Sequence, residues 1–262
     1  MTVQQAPRDG VAVRQCEFRF YEELNDYLPS ELRKRSLMRA LSGTPSVKDA
    51  VEAIGVPHTE IDLILVDGRS VRFDRLLRGG ERVAVFPMFE RFDITPLHRL
   101  RPKPLRNPRF VADVHLGTLA RYLRLLGFDT LYSNDLTDPE LARLAQQRRI
   151  LLTRDVGLLK RKIVTRGHWL RARDPEQQIE EVAAALQLQR LLKPFTRCLA
   201  CNGRLGPMDR GDARDQVPAR VYRRFRKFVR CKRCARVYWR GTHFQRLQRL
   251  VAQIRATGKS PV

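Results

Sequence analysis

Nowhere in this sequence do roughly eighteen apolar residues run together, so a membrane-spanning helix is not expected. The opening decapeptide MTVQQAPRDG lacks the apolar core and the small-residue cleavage site of a secretory signal. A reducing cytoplasm is therefore the expected compartment. The five cysteines are expected to be metal ligands or free thiols rather than disulfides. Acidic residues are scarce in one part of the chain only. From Met1 to Glu90 there are 14 acidic and 13 basic residues, whereas from Arg91 to Val262 there are 14 and 38. In the last stretch, Leu191 to Val262, 3 acids stand against 19 bases. The net charge of +23 thus belongs to the carboxyl-terminal portion. A domain so basic is expected to bind a polyanion, releasing counterions for each phosphate it neutralises. No Trp-rich amphipathic helix favours a membrane surface as that polyanion. A hydrophobic share of 43% leaves enough apolar material for folded cores.

What is present divides at Arg91–Pro108, a stretch with four prolines and no period, which reads as a linker or strap. In front of it, Cys16, Phe18 and Phe20 alternate as in a strand. Ser46 to Gly55 has a serine N-cap, helical apolar spacing and a glycine stop. Ile61–Val66 and Glu81–Phe86 read as strands, with Asp67-Gly68 as a hairpin turn between Ile61–Val66 and the following Val71 and Phe73. The pattern is that of a small α+β unit. Behind the linker, strands and helices alternate. Phe110–Ala112, Phe128–Tyr132 and Ile150–Leu152 are short apolar runs, separated by helical spacings at Leu116–Leu123 and Leu141–Ala145 and followed by another at Ile179–Leu186. Repeated βα units imply a parallel sheet covered by helices.

In open parallel sheets, ligands sit at the carboxyl ends of the strands. Asp113 follows Phe110–Ala112 directly, and Asp155 comes three residues after Leu152, so both acids are expected at one edge. Two carboxylates there repel each other unless a cation lies between them, and hard oxygen ligands suit Mg²⁺ or Mn²⁺. Such a site would polarise a phosphodiester and activate water. The bland alternative is that each acid caps a turn. Asp138-Pro139-Glu140 and Asp174-Pro175-Glu176 carry a helix-start signature, with Asp as N-cap and Pro at the first position, and are read equally well as caps or as further ligands. Asp135 and Glu140 are neighbouring substitutes. Thr153 is placed to position Asp155 or a water. Arg121 and Arg124, one helical turn apart on the expected polar face, and Arg154 are candidates for phosphate binding. His115 is read as structural before it is read as a substrate contact.

Cys198-Leu199-Ala200-Cys201 and Cys231-Lys232-Arg233-Cys234 are two C-x2-C pairs. Two such knuckles predict a tetrahedral zinc site, structural because four thiolates leave no open position. Cys16 is left over and suits the core of the first unit. Between the knuckles, Arg223, Arg224, Arg226 and Lys227 are interleaved with Tyr222, Phe225 and Phe228, and Trp239 and His243 follow. Bases mixed with aromatics suit RNA, where phosphates are neutralised and unpaired bases stack, although the aromatics equally serve a small core.

The run Phe110 to Thr130 resembles the opening of the Mut-seven carboxy-terminal RNase family. Ile150–Asp155, Arg197–Asn202, Cys231–Cys234 and Tyr238–His243 resemble its later motifs, in the same order. The resemblance implies a PIN-like nuclease with a zinc ribbon and acidic, Mg²⁺- or Mn²⁺-dependent RNA cleavage. It supports Asp113 and Asp155 most, Asp138 less and Asp174 least. Ser46–Asp49, Gly55–Glu60 and Val66–Gly68 are similar to the ubiquitin-like domain often fused to that family, a β-grasp fold shared with small sulfur carriers. Those carriers end in a free Gly-Gly. Here Gly79-Gly80 is internal, so docking to a protein partner, or to the nuclease domain itself, is expected rather than conjugation.

The expected fold class is an α+β β-grasp ubiquitin-like domain followed by an α/β PIN-like domain with a parallel sheet and a small carboxyl-terminal zinc-ribbon module. The expected boundaries are 12–90 for the ubiquitin-like domain, 91–108 for the linker, 109–192 for the nuclease domain and 193–250 for the zinc ribbon. The expected activity is metal-dependent cleavage of RNA. Alternatives are a non-cleaving RNA-, tRNA- or ribosome-associated factor and a DNA-acting nuclease.

Overall fold

The computed structural model describes residues 14–87 and 107–257. Most of the expected linker, and the outermost positions of the expected first domain, lie outside the described residues. The chain divides into two compact units, Met1–Lys103 and Pro104–Val262.

The first unit contains β1 (Gln15–Phe20), β2 (Ser36–Ala40), α1 (Val47–Ile54), β3 (Leu63–Val66), β4 (Arg69–Ser70) and β5 (Arg82–Phe86). Its sheet has the order β2-β1-β5-β3-β4, with β1 and β5 parallel and the other pairs antiparallel. First and last strands paired in parallel, with one helix packed on the sheet, make the ubiquitin-like β-grasp. Cys16, Phe18 and Phe20 all point into the core, as the period of two requires, and meet Val47 and Val51 of α1. The Ser46 hydroxyl accepts the Asp49 amide, and Gly55 stops α1 at φ +130°. β2 was not expected. Only Leu37 in it is even half-buried, so this edge strand carries no apolar alternation. Gly79-Gly80 precedes the central strand β5, and the Gly79 N–H is held by the Glu81 carboxylate at 2.7 Å. The diglycine is therefore built into the fold.

The second unit contains β6 (Arg109–Ala112), α2 (Gly117–Leu125), β7 (Asp129–Leu131), α3 (Asp138–Gln146), β8 (Ile150–Thr153), α4 (Val156–Leu159), β9 (Gly167–Trp169) and α5 (Pro175–Ala185). The strands form one parallel sheet in the order β7-β6-β8-β9. Phe110 and Ala112 of β6 face one apolar cluster and Val111 the other, so the central strand is apolar throughout because both its faces are covered. α2 ends at Gly127, at φ +100°, where a Cβ would lie 2.1 Å from the Lys193 carbonyl oxygen. Only glycine lets the chain pass so close.

The remainder contains β10 (Leu205–Met208), α6 (Arg210–Ala213), α7 (Ala219–Arg224), β11 (Phe228–Cys231), β12 (Val237–Trp239) and α8 (Thr242–Thr257). β10, β11 and β12 form an antiparallel ribbon with its own small core of Ala213, Val217, Val221 and Phe228. α8 returns to the parallel-sheet side, where Leu250, Val251 and Ile254 join Leu119, Leu123, Ile179 and Val182 in one cluster. The boundary expected at residue 192 cuts this cluster, so the ribbon is inserted between parts of a single core. No helix among the described residues is long and apolar enough to cross a membrane.

Candidate functional site

Both acids reach the carboxyl edge because the strands before them are parallel neighbours. Ala112 of β6 pairs with Leu152 of β8. One residue beyond, the Asp113 amide still donates to the Leu152 carbonyl at 3.0 Å. Thr153, the last residue of β8 and fully buried, joins the two acids. Its hydroxyl donates to Asp113 Oδ2 at 2.5 Å and accepts the Asp155 amide at 2.9 Å. Asp113 Oδ1 accepts the Val114 amide at 2.6 Å, and Asp155 Oδ1 accepts the Gly157 amide at 2.7 Å, capping α4. Asp113 is half-buried and Asp155 exposed. Each carboxylate is oriented by a short bond to its own turn, a donor set that suits a hard divalent cation.

The other acids stand at the same end of the sheet in different roles. Thr137, not Asp138, caps α3, in a capping box with Glu140. Glu140 is thereby committed to the helix start. Asp138 is the first helical residue and pairs with Arg161 at 3.2 Å. Asp135 is exposed beside Ser133. Asp174 caps α5, accepting the amides of Glu176 and Gln177. Among the described residues, the only group of three or more His, Cys, Asp or Glu whose ligand atoms lie within 4.8 Å of one another is the four cysteines. Asp113, Asp138, Asp155 and Asp174 form no such group among the described residues.

The basic candidates divide. Arg121 and Arg154 are exposed. Arg124 is 4% exposed, which corrects its expected place on the polar face of α2; its donors go to the carbonyls of Thr130, Leu199 and Ala200. A phosphate cannot reach it. Arg223 and Arg224 on α7, Arg226, Lys227 and His243 are exposed, while Trp239 is half-buried against the ribbon core. Two supporting residues were not singled out from the sequence. The Trp169 indole donates to the Arg154 carbonyl at 3.1 Å, pinning the turn that carries Asp155. The Tyr132 hydroxyl donates to the Val114 carbonyl at 2.9 Å beside Asp113. Their signal was position alone, each standing at or just past the carboxyl end of a strand.

The four cysteines form a compact group. Cys198 Sγ lies 3.6 Å from Cys234 Sγ, and Cys201 Sγ 3.4 Å from Cys231 Sγ. A tetrahedron with metal–sulfur bonds of about 2.3 Å has edges of about 3.8 Å, whereas a disulfide needs about 2.05 Å. The group fits a metal ion and could hold zinc. The amides of Cys201, Arg233 and Cys234 point at sulfur, and the Tyr238 hydroxyl lies 3.0 Å from Cys198 Sγ. Burial pushes the Cys198 thiol up, but the Tyr238 hydroxyl and the knuckle amides outweigh it and bring it down to about 6. Burial and the neighbouring sulfurs push Cys201 up to about 12. Four sulfurs at this spacing cannot all ionise without a cation among them.

A family model described as Mut7-C RNAse domain matches residues 108–251, and one described as Mut7-C ubiquitin matches residues 13–93. Over 126 residues the chain is 25% identical to an uncharacterized protein of Caenorhabditis elegans, ZK1098.3. That match covers 45% of this chain and 16% of the worm protein, so the chain spans a small part of that relative's length. The crystal structure of H. volcanii small archaeal modifier protein 1 aligns with 29% of this chain and 99% of its own, at 18% identity and a TM-score of 0.24.

Proposed function

Because the chain belongs to the Mut7-C RNAse domain family, which carries a nuclease-type role, we propose that it hydrolyses RNA phosphodiester bonds at the edge marked by Asp113 and Asp155. The observation that carries this reading is the Thr153 hydroxyl, buried between the two acids and bonded to both turns. It ties the Asp113 carboxylate to the backbone of Asp155 at the end of a sheet in a strongly basic unit, where binding alone gains nothing from negative charge. A Mg²⁺ or Mn²⁺ ion held there would polarise the scissile phosphate and lower the pKa of the attacking water. The protein's part is positional: Asp113 and Asp155 present oxygens to that ion, with Asp138 and Asp174 as the further candidate ligands. Arg121 and Arg154 meet phosphate oxygens at the same edge. The ribbon holds the rest of the strand through Arg223, Arg224, Arg226 and Lys227, with Trp239 and His243 as stacking partners. The four cysteines hold a structural zinc, which suits a reducing compartment such as the cytoplasm. The ubiquitin-like domain serves to dock a protein partner.

A second reading is a non-cleaving RNA-binding factor. It is favoured by the Asp138–Arg161 pair and by the fact that, among the described residues, only the cysteines form a group of three or more that could hold a metal ion. Asp113→Asn separates the two readings. On the first, the variant keeps its RNA affinity and loses cleavage. A variant as active as wild type removes the assignment.

A further inference from the structure

The thiolate centre is bonded to the nuclease sheet by side chains that the catalytic reading does not use. β7 is an edge strand, so the outward N–H and C=O of Thr130 need partners beyond the ladder. The C=O accepts from Arg124 Nε at 3.0 Å, and the N–H donates to Asn202 Oδ1 at 3.1 Å. Both partners also serve the first cysteine knuckle. Arg124 Nη1 donates to the carbonyls of Leu199 and Ala200 at 3.1 and 2.9 Å, the two residues between Cys198 and Cys201. Asn202 follows Cys201 in the left-handed region, at φ +66°, and its amide N–H donates to the Cys198 carbonyl at 2.9 Å. The Asn202 side-chain nitrogen donates to Asp129 Oδ1 at 2.8 Å. A guanidinium buried like that of Arg124 is costly unless its donors are used, and three carbonyls use them.

From β7 the contacts continue to the carboxylate edge. Tyr132 stands just past the strand. Its hydroxyl bonds the Val114 carbonyl and sits so near Gly117 that a Cβ there would lie 2.6 Å from it. Val114 follows Asp113, and its N–H bonds Asp113 Oδ1.

We propose that Arg124 and Asn202 are positioning residues through which the four-cysteine centre, by way of β7 and Tyr132, sets the placement of Asp113. Occupancy of the thiolate centre then controls cleavage without any zinc contact to RNA. The proposal rests on the nuclease reading for its effect on activity, and its structural half is measured separately.

The test uses the full chain. Asn202→Gly keeps the left-handed backbone and deletes the bonds to Thr130 and Asp129. Arg124→Gln is compared with the conservative Arg124→Lys. Bound zinc, RNA affinity without added Mg²⁺ or Mn²⁺, kcat, KM and amide exchange at Val114 and Thr130 are measured. Asn202→Gly should retain one zinc and an RNA Kd within about two-fold, while kcat falls about ten- to a hundred-fold, the range for lost outer-shell support of a metal site. KM should hold, exchange at Val114 should speed up, and Arg124→Lys should recover part of what Arg124→Gln loses. A zinc-loaded variant with wild-type kcat and wild-type exchange at Val114 overturns the proposal. If the wild type cleaves no RNA, the nuclease reading fails, and Val114 exchange still decides the coupling: faster exchange in Asn202→Gly supports it and unchanged exchange overturns it. Should the variants fail to fold, zinc is removed from the wild type and restored. Val114 protection that ignores zinc then overturns the proposal, and protection that follows zinc supports it.

Discussion

The Thr153 hydroxyl gives its proton to Asp113 over 2.5 Å, and the same oxygen receives the amide of Asp155. One hydroxyl therefore joins the carboxylate of the first acid to the backbone of the second. Thr153→Val keeps the shape and removes that atom. It should cost about 1–3 kcal/mol of stability, because the Asp155 amide and the Asp113 oxygen lose a partner. It should lower cleavage about ten- to a hundred-fold, while Thr153→Ser stays near wild type. Denaturant unfolding beside single-turnover cleavage checks both halves. Wild-type activity in Thr153→Val would remove Thr153 from the site.

Gly127 has no tolerated replacement. At φ +100°, with the Lys193 carbonyl where a Cβ would stand, Gly127→Ala meets both a backbone penalty and a clash with main chain. A loss of about 3 kcal/mol or more is expected. Urea midpoints measure it, and a loss below about 1 kcal/mol would mean that the helix end and the 193 segment move apart freely.

Legibility in the sequence follows burial. β6 and β8 could be read because strands buried on both faces are continuous apolar runs, and their acids followed from the carboxyl-edge rule. β9 could not, because three residues, Gly-His-Trp, carry no period. In α8, Phe244, Leu247, Val251 and Ile254 do repeat at helical spacing, but its many arginines and glutamines make charge the more conspicuous signal. Arg124 is a different case. Helical position alone puts it on the polar face, and only the folded knuckle supplies the carbonyls that bury it. Thr137 takes the cap expected of Asp138 because Glu140, three residues on, completes a capping box with it.

Glu81 gives the ubiquitin-like unit an acid-sensitive point. Burial raises its carboxyl, but the amides of Arg78 and Gly79 and the Cys16 thiol outweigh that and hold it below its ordinary 4.5. A carboxylate whose folded pKa lies below the unfolded value contributes stability above the unfolded value, and that contribution is lost as pH falls through the folded one. Protection of β5 amides should therefore drop as the pH is taken from about 5 downward through the folded value. In Glu81→Gln the protection should be lower at neutral pH and flatter with pH. An equally steep acid dependence in that variant would place the responsible group elsewhere.

Arg161 holds Asp138 in an exposed pair. Pairs of this kind contribute about 0–1 kcal/mol, so Arg161→Ala should leave the unfolding midpoint nearly unchanged. If Asp138 belongs to the catalytic metal shell, the Mn²⁺ concentration for half-maximal cleavage should fall several-fold. No change in that concentration would assign Asp138 to the helix start alone.

The most direct measurement is cleavage of labelled single-stranded RNA, structured RNA and single-stranded DNA by the purified chain, with Mg²⁺ or Mn²⁺ and with EDTA, beside the double variant Asp113→Asn/Asp155→Asn. Metal-dependent cleavage of RNA that the double variant lacks, with RNA binding retained, is the predicted result. Tight RNA binding without cleavage across every metal and substrate would contradict the nuclease assignment and leave a binding factor whose acids serve the fold.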